Sequence, residues 1–189
     1  MKRKKLFVLL ATLIAVAAIS TTLAFMFKKT SVDNRFVPGT VSCQLYETVD
    51  GTEYTDGGVV RQGSTKSDIK VKNTGNISSF IRVRLVSHWT DADGNAVGLP
   101  SELPQIDFDA VNWLKGENNT YYYITPVAPG ELSGILCEPI ILAEKTTADG
   151  ETVYMVLTVL PEAIQAEPSS AAAEAWGVTI TGGEISAVD

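Results

Sequence analysis

Apolar and polar residues alternate one for one along most of this chain, the spacing of strands that bury one face and wet the other. In "SDIKVKN", Ile69 and Val71 fall on one side and Lys70 and Lys72 on the other. "SSFIRVRLVSHW" repeats the pattern, with Ile81, Val83 and Leu85 inward and Arg82 and Arg84 outward. "TVSCQLYET" predicts an earlier strand, and "TYYYIT", "GILCEPIILAE" and "ETVYMVLTVLPEAIQA" predict three later ones. The last carries Val153, Met155, Leu157 and Val159 on one face and Tyr154, Val156 and Leu160 on the other, which places it in the middle of a packed structure. "VDGTEYTDGG", "NTGN" and "DADGN" read as turns, with Asp93-Gly94 suited to a tight hairpin. Residues 97–119 show no sustained period and read as a long connection that packs Phe108 and Trp113 against the domain.

Only "SSAAAEAWG" reads as a helix, with Ser169 or Ser170 as N-cap, Gly177 to end it and Trp176 to pin it to a sheet. Many strands, turns between them and no alternation of strand with helix predict an all-β fold. The expected architecture is an antiparallel, jelly-roll-like β-sandwich with one short C-terminal helix, its topology jelly-roll or immunoglobulin-like.

The alternation fails at the N-terminus. Lys2, Arg3, Lys4 and Lys5 precede a strongly apolar run from Leu6 to Ile19, and Ser20, Thr21 and Thr22 then lead to Leu23 and Ala24. Basic, then apolar, then small is the grammar of a secretory signal. A signal peptidase holds the chain extended, with the residues one and three before the cut in shallow pockets. Ala24 and Thr22 meet that demand, so the expected cut leaves Phe25 first in the mature chain. The competing reading is an uncleaved anchor, since the 22 uncharged residues from Leu6 to Phe27 are long enough to cross a bilayer. In both readings the basic end stays inside and the bulk of the protein faces out. The expected division is a signal peptide at 1–24, an extended segment at 25–38 and a sandwich domain at 39–189.

Charge and chemistry narrow the function. Removing residues 1–24 takes away four of 15 basic residues and none of the 22 acidic ones, leaving 11 − 22 = −11. A polyanion of that size disfavours nucleic acid and anionic lipid as partners. His88 is the single histidine, on the parity of Arg82 and Arg84 and so on the wet face. "DADGN" begins like a calcium loop but lacks the later bidentate Glu, and a plain hairpin turn is the reading taken. No catalytic, cofactor-binding or metal-ligand pattern emerges, so the expectation is a non-enzymatic protein without a cofactor. Tyr121, Tyr122, Tyr123 and Trp113 suggest either a sugar-stacking platform or, from their alternation, core packing; core packing is the preferred reading. Cys43 and Cys137 stay open between a disulfide, worth about 4 kcal/mol for so long a loop, and two separate buried thiols.

Four segments resemble the TasA, CalY and camelysin group of exported Gram-positive proteins. "TTLAFMFKKTSVDNRFVPGTV" resembles its signal and mature N-terminus, through Thr22, Leu23 and Ala24, then Phe25 and Phe27, then Asn34, Phe36 and Gly39. "IKVKNTGNISSFIRVRL" resembles its first marked strand pair, "NTYYYITPVAPGE" its aromatic run and Ala-Pro-Gly-Glu turn, and "EAIQAEPSSAAAEAWG" its C-terminal strand and helix. The resemblance implies a SipW-like signal peptidase as partner during export, a jelly-roll sandwich, and assembly with further copies of itself into extracellular or cell-surface fibres of a biofilm matrix. The chain departs from the group in lacking acidic residues after the cut and in its cysteine pair. The protease activity attributed to camelysins has no motif here to carry it.

Fibre assembly has a direct physical route. An open sandwich leaves unpaired main-chain groups along its sheet edges, and an extended segment from a neighbour completes them by strand addition. Residues 25–38, with Phe25, Phe27 and Phe36, are the candidate donor strand; the plainer alternative is a disordered tether. A different reading of the whole chain is a membrane-anchored surface module that recognises glycans or another protein.

Overall fold

The computed structural model describes residues 38–55 and 64–188. The expected cleavage residues Thr22, Ala24 and Phe25, and the donor aromatics Phe27 and Phe36, lie outside the described residues.

The alternating segments become strands β1 (Cys43–Val49), β2 (Thr52–Thr55), β3 (Thr65–Asn73), β4 (Ser79–Thr90), β5 (Ala96–Val97), β6 (Trp113–Lys115), β7 (Thr120–Tyr123), β8 (Ile140–Ile141), β9 (Glu144–Thr146) and β10 (Thr152–Gln165). Helix α1 (Ser170–Trp176) and the hairpin β11 (Val178–Thr181) and β12 (Glu184–Val188) follow. All pairings are antiparallel, in one sheet ordered β2-β1-β3-β8 and another ordered β6-β7-β4-β10-β9 with β5 beside β4. The fold is thus an all-β antiparallel sandwich with one short helix. The chain passes between the sheets after β3, after β7 and after β8.

The two sheets meet in one core. Leu45, Val49, Ile69 and Val71 come from the first sheet, and Ile81, Val83, Leu85, Val153, Leu157 and Val159 from the second, all buried. Tyr121 lies in this core and Tyr123 packs against it, whereas Tyr122 turns the opposite way into a second cluster with Phe80, Ala172, Val178 and Ile185. The alternation of the three tyrosines is therefore core packing on two faces. Trp113 is fully buried, donates its indole N–H to the Ile135 carbonyl at 3.1 Å and packs on Tyr123.

Helix α1 ends where Gly177 takes φ 63° and donates to the Ala173 carbonyl. It roofs one end of the outer face of the β4–β10 pair, with Trp176 edge-on to Tyr122 and beneath the Arg82 guanidinium. Arg82 in turn pairs with Glu162, its register partner on β10. Beyond α1 that face is open, and Leu160 and Val86 are exposed. The apolar second face of β10 is accordingly only partly covered. Its place in the sheet is one strand from the edge, with β9 reaching only its first residues.

Two other expectations are corrected. "GILCEPIILAE" is not one strand: only Ile140–Ile141 pairs with β3, because Pro139 has no N–H and the stretch before it touches β3 through separate bonds from Ser133 to Val71 and Leu136 to Ile69. Leu136, Ile140 and Leu142 are buried while Ile135 and Ile141 face out. "VDGTEYTDGG" contains a strand, since Asp50 and Gly51, both at positive φ, make the two-residue turn of the β1–β2 hairpin. Gly182 and Gly183 do the same for β11–β12, which sequence reasoning passed over. "DADGN" is a hairpin turn as read: the Asp91 carboxylate accepts the N–H groups of Asp93 and Asn95. Those bonds, the Asn95 side chain's first, hold the Asp91 carboxyl below its ordinary value.

Candidate functional site

Among the described residues, one strand edge of this sandwich runs unaccompanied. β10 pairs with β4 over twelve positions, from Tyr154 opposite Thr90 to Gln165 opposite Ser79. On its other side, Met155 donates its N–H to the Ala143 carbonyl at 2.8 Å, and strand pairing with β9 stops at Tyr154. Alternation along an antiparallel strand turns the main-chain groups of Leu157, Val159, Pro161, Ala163 and Gln165 to that same side. Among the described residues no strand runs beside them. Pro161 offers no N–H, which is why it is tolerated in a strand that is an edge at this point.

The end of this edge next to β9 has a defined stop. Lys66 on β3 crosses between the sheets and donates to the Leu157 carbonyl at 2.8 Å. Its ammonium also pairs with Glu47 of β1 at 2.9 Å, with 2% of the lysine and none of the glutamate side chain exposed. Two charges in a dry interior are held by each other and by a carbonyl of the opposite sheet. β1 and β10 adjoin at this margin of the sandwich, so the edge borders the seam between the sheets.

The segment leading to β1 is fastened beside it. Thr40 donates to the Asn76 side chain at 2.6 Å and accepts from the Asn76 N–H, and Ser42 accepts from Thr74 and Gly75. A side chain on Gly75 would run into the Thr40 carbonyl, so only glycine permits this approach.

Cys43 and Cys137 are separate thiols, Cys43 half-buried and Cys137 buried. Cys43 pairs with Asn73 on one flank of β3, while Leu136, next to Cys137, bonds Ile69 on the other. Four residues along a strand and two strand spacings amount to roughly 16 Å, against a limit of about 7 Å between the Cα atoms of a disulfide. Burial pushes the Cys137 thiol up to about 12, with Glu138 and Asp107 adding to the shift. Cys137 is therefore expected to resist iodoacetamide at pH 8 in the folded protein and to alkylate on unfolding. Peptide mass analysis checks this, and rapid modification of the native chain would contradict it.

His88 is half-buried on the outer face opposite Val156. Among the described residues no group of three His, Cys, Asp or Glu side chains is placed to hold a metal ion. Trp113 and Tyr121 are fully buried and present no stacking surface. Asp50, Asp91 and Asp109 have lowered carboxyl pKa values, Asp50 from hydrogen bonds with Thr65 and Ser64 at the start of β3, and Asp91 and Asp109 from bonds within their own turns, rather than from a shared site. No family model, curated protein or solved structure matches this chain.

Proposed function

We propose that this chain is an exported, non-enzymatic structural protein of the cell surface or extracellular matrix. It polymerises when residues 25–38 of one copy are laid as a strand along the open edge of β10 in the next. The observation that carries the reading is that edge, running from Leu157 to Gln165 with its main-chain groups turned outward beside the seam of the sheets. Charge supports it. Residues 25–38 hold three basic residues and one acidic, a balance of +2, while residues 39–189 hold eight basic and 21 acidic, a balance of −13. Opposite charge on donor and body speeds encounter and makes it salt-dependent. The resemblance of four segments to the TasA group points the same way. Cleavage after Ala24 by a SipW-like peptidase would free the donor.

Two variants test this. Removing residues 25–38 is expected to leave a folded monomer that forms no fibres, by electron microscopy and sedimentation. Ala163→Pro removes one outward N–H without touching the bonds to β4, as Pro161 already does. It is expected to melt within a few degrees of wild type and still to fail to assemble. Fibres of normal yield from either folded variant would sink the proposal.

A further inference from the structure

The edge of β4 opposite β10 is interrupted. β7 pairs with β4 from Arg82 to Arg84, and β5 pairs with it at Trp89 and Thr90. Between them Leu85 donates to the Asn119 carbonyl at 3.0 Å, and Ser87 stands at a cleft of about 830 Å³ bounded by residues 101–106 and 115–119. That volume lies within the range of about 300–1,000 Å³ that ligand pockets occupy.

Ser87, Ser101, Gln105, Asn118 and Asn119 bring hydroxyls and amides to its walls, beside a smaller apolar portion. Ser101 donates to the Ser87 hydroxyl at 2.8 Å, and Asn118 and Asn119 line the opposite rim at φ 52° and 57°. Positive φ is uncommon outside glycine, and asparagine adopts it more readily than most residues, so this rim can present amides where other side chains would strain the turn.

The charges in the cleft run against the rest of the molecule. Acidic residues outnumber basic ones 21 to eight in residues 39–189. Yet Arg84 and Lys115 both line this cleft against the single carboxylate of Glu102. The close ion pairs among the described residues are Lys66 with Glu47 and Arg82 with Glu162, so neither cleft cation is engaged in one. Lys115 instead sits 5.8 Å above the buried Tyr121 ring.

We infer that this cleft binds an acidic saccharide, with Arg84 and Lys115 taking the carboxylate of a uronic acid and the serine and asparagine groups its hydroxyls. An extended peptide suits the cleft less well. Strand addition needs several consecutive main-chain groups, and the gap in β4 offers those of one residue, Ser87. A small inorganic anion would engage the two cations and leave the hydroxyl and amide walls unused. The inference does not depend on fibre assembly, because the cleft flanks β4 on the side away from β10.

The test is calorimetric titration of the folded protein with trigalacturonate at 0.15 M salt, beside maltotriose, inorganic phosphate and a hexaglutamate peptide. Saturable one-to-one binding of trigalacturonate is expected, with maltotriose at least about tenfold weaker, the scale of one lost charged hydrogen bond. Arg84→Gln and Lys115→Gln are each expected to weaken trigalacturonate about tenfold while leaving the melting temperature unchanged, since both side chains are exposed. The inference is overturned by no saturable binding, by equal binding of maltotriose, or by undiminished binding in both variants. Equal competition by phosphate or hexaglutamate would also overturn it, marking a general anion site.

Discussion

Lys66→Met is expected to destabilise the folded domain by about 3–5 kcal/mol, the cost of leaving a buried charge without its partner. Glu47 has none of its side chain exposed, and the ammonium of Lys66 lies 2.9 Å from its carboxylate. Methionine fills nearly the same volume, so little of the loss comes from packing. It arises because the carboxylate stays in a dry interior without its cation, and the Leu157 carbonyl loses the donor that reached it from the other sheet. Replacing both partners, as Lys66→Met with Glu47→Leu, is expected to recover the loss and to equal or exceed wild-type stability. Two charges are costly to bury even when paired, and apolar groups of similar size are not. Urea unfolding of the single and the double variant beside wild type checks this. A single substitution that costs under about 1 kcal/mol would mean that water reaches the pair.

Trp113→Ala is expected to cost a similar amount, about 3–5 kcal/mol, through a cavity the neighbours can only partly fill. Trp113 is fully buried where the long connection enters β6, wedged against Tyr123 and bonded to the Ile135 carbonyl. Trp113→Phe should keep most of the packing but leave that carbonyl without its donor, and so fall between wild type and alanine. The same urea experiment gives the ranking; alanine no worse than phenylalanine would show that the wedge contributes little.

Both substitutions show what the sequence made legible. Trp113 could be assigned to the core because large aromatics in an irregular stretch have few other places to go, and the structure buries it fully. The clean alternation of β4, and of β3 from Ile69 onward, was equally plain. Lys66 could not be read this way. It lies on the inward parity of β3, with Ile69 following after a bulge at Asp68, where φ is 52°. Two-residue counting through "TKSDIKVKN" breaks at that bulge, so nothing local reveals a buried lysine. The short strands β5, β6 and β9 escaped for a related reason. Strands of two or three residues are specified by what they lie beside rather than by their own few residues.

The open edge of β10 was half legible. Pro161 inside an apolar run is a sign of an edge, because proline removes a ladder bond that a central strand needs. The two apolar faces of the same run argued for a central position instead. Both signals were real. Among the described residues, β10 is flanked by β4 from Tyr154 to Gln165 and on its other side by β9 only at its start. The cleft at Ser87 left no trace in the sequence, since Arg84, Lys115 and Asn118 come together only through the pairing of β4 with β7.

The fastening of residues 40–42 to the turn at 74–76 has a mechanical consequence for a fibre assembled as proposed. Tension drawn through the donor segment of one copy enters its own domain at Thr40 and passes directly into β1. β1 is held to β3 by a ladder running from Cys43 opposite Asn73 to Val49 opposite Lys66. Its bonds lie across the direction of pull. A load along the strand is therefore shared by the whole ladder in shear, rather than peeling one bond at a time. At the other end of the ladder, Lys66 reaches across to β10, the strand that would grip the next copy. The buried ion pair would then sit on the line of force between one subunit and its neighbour, tying the two sheets together at the point where pulling them apart would begin.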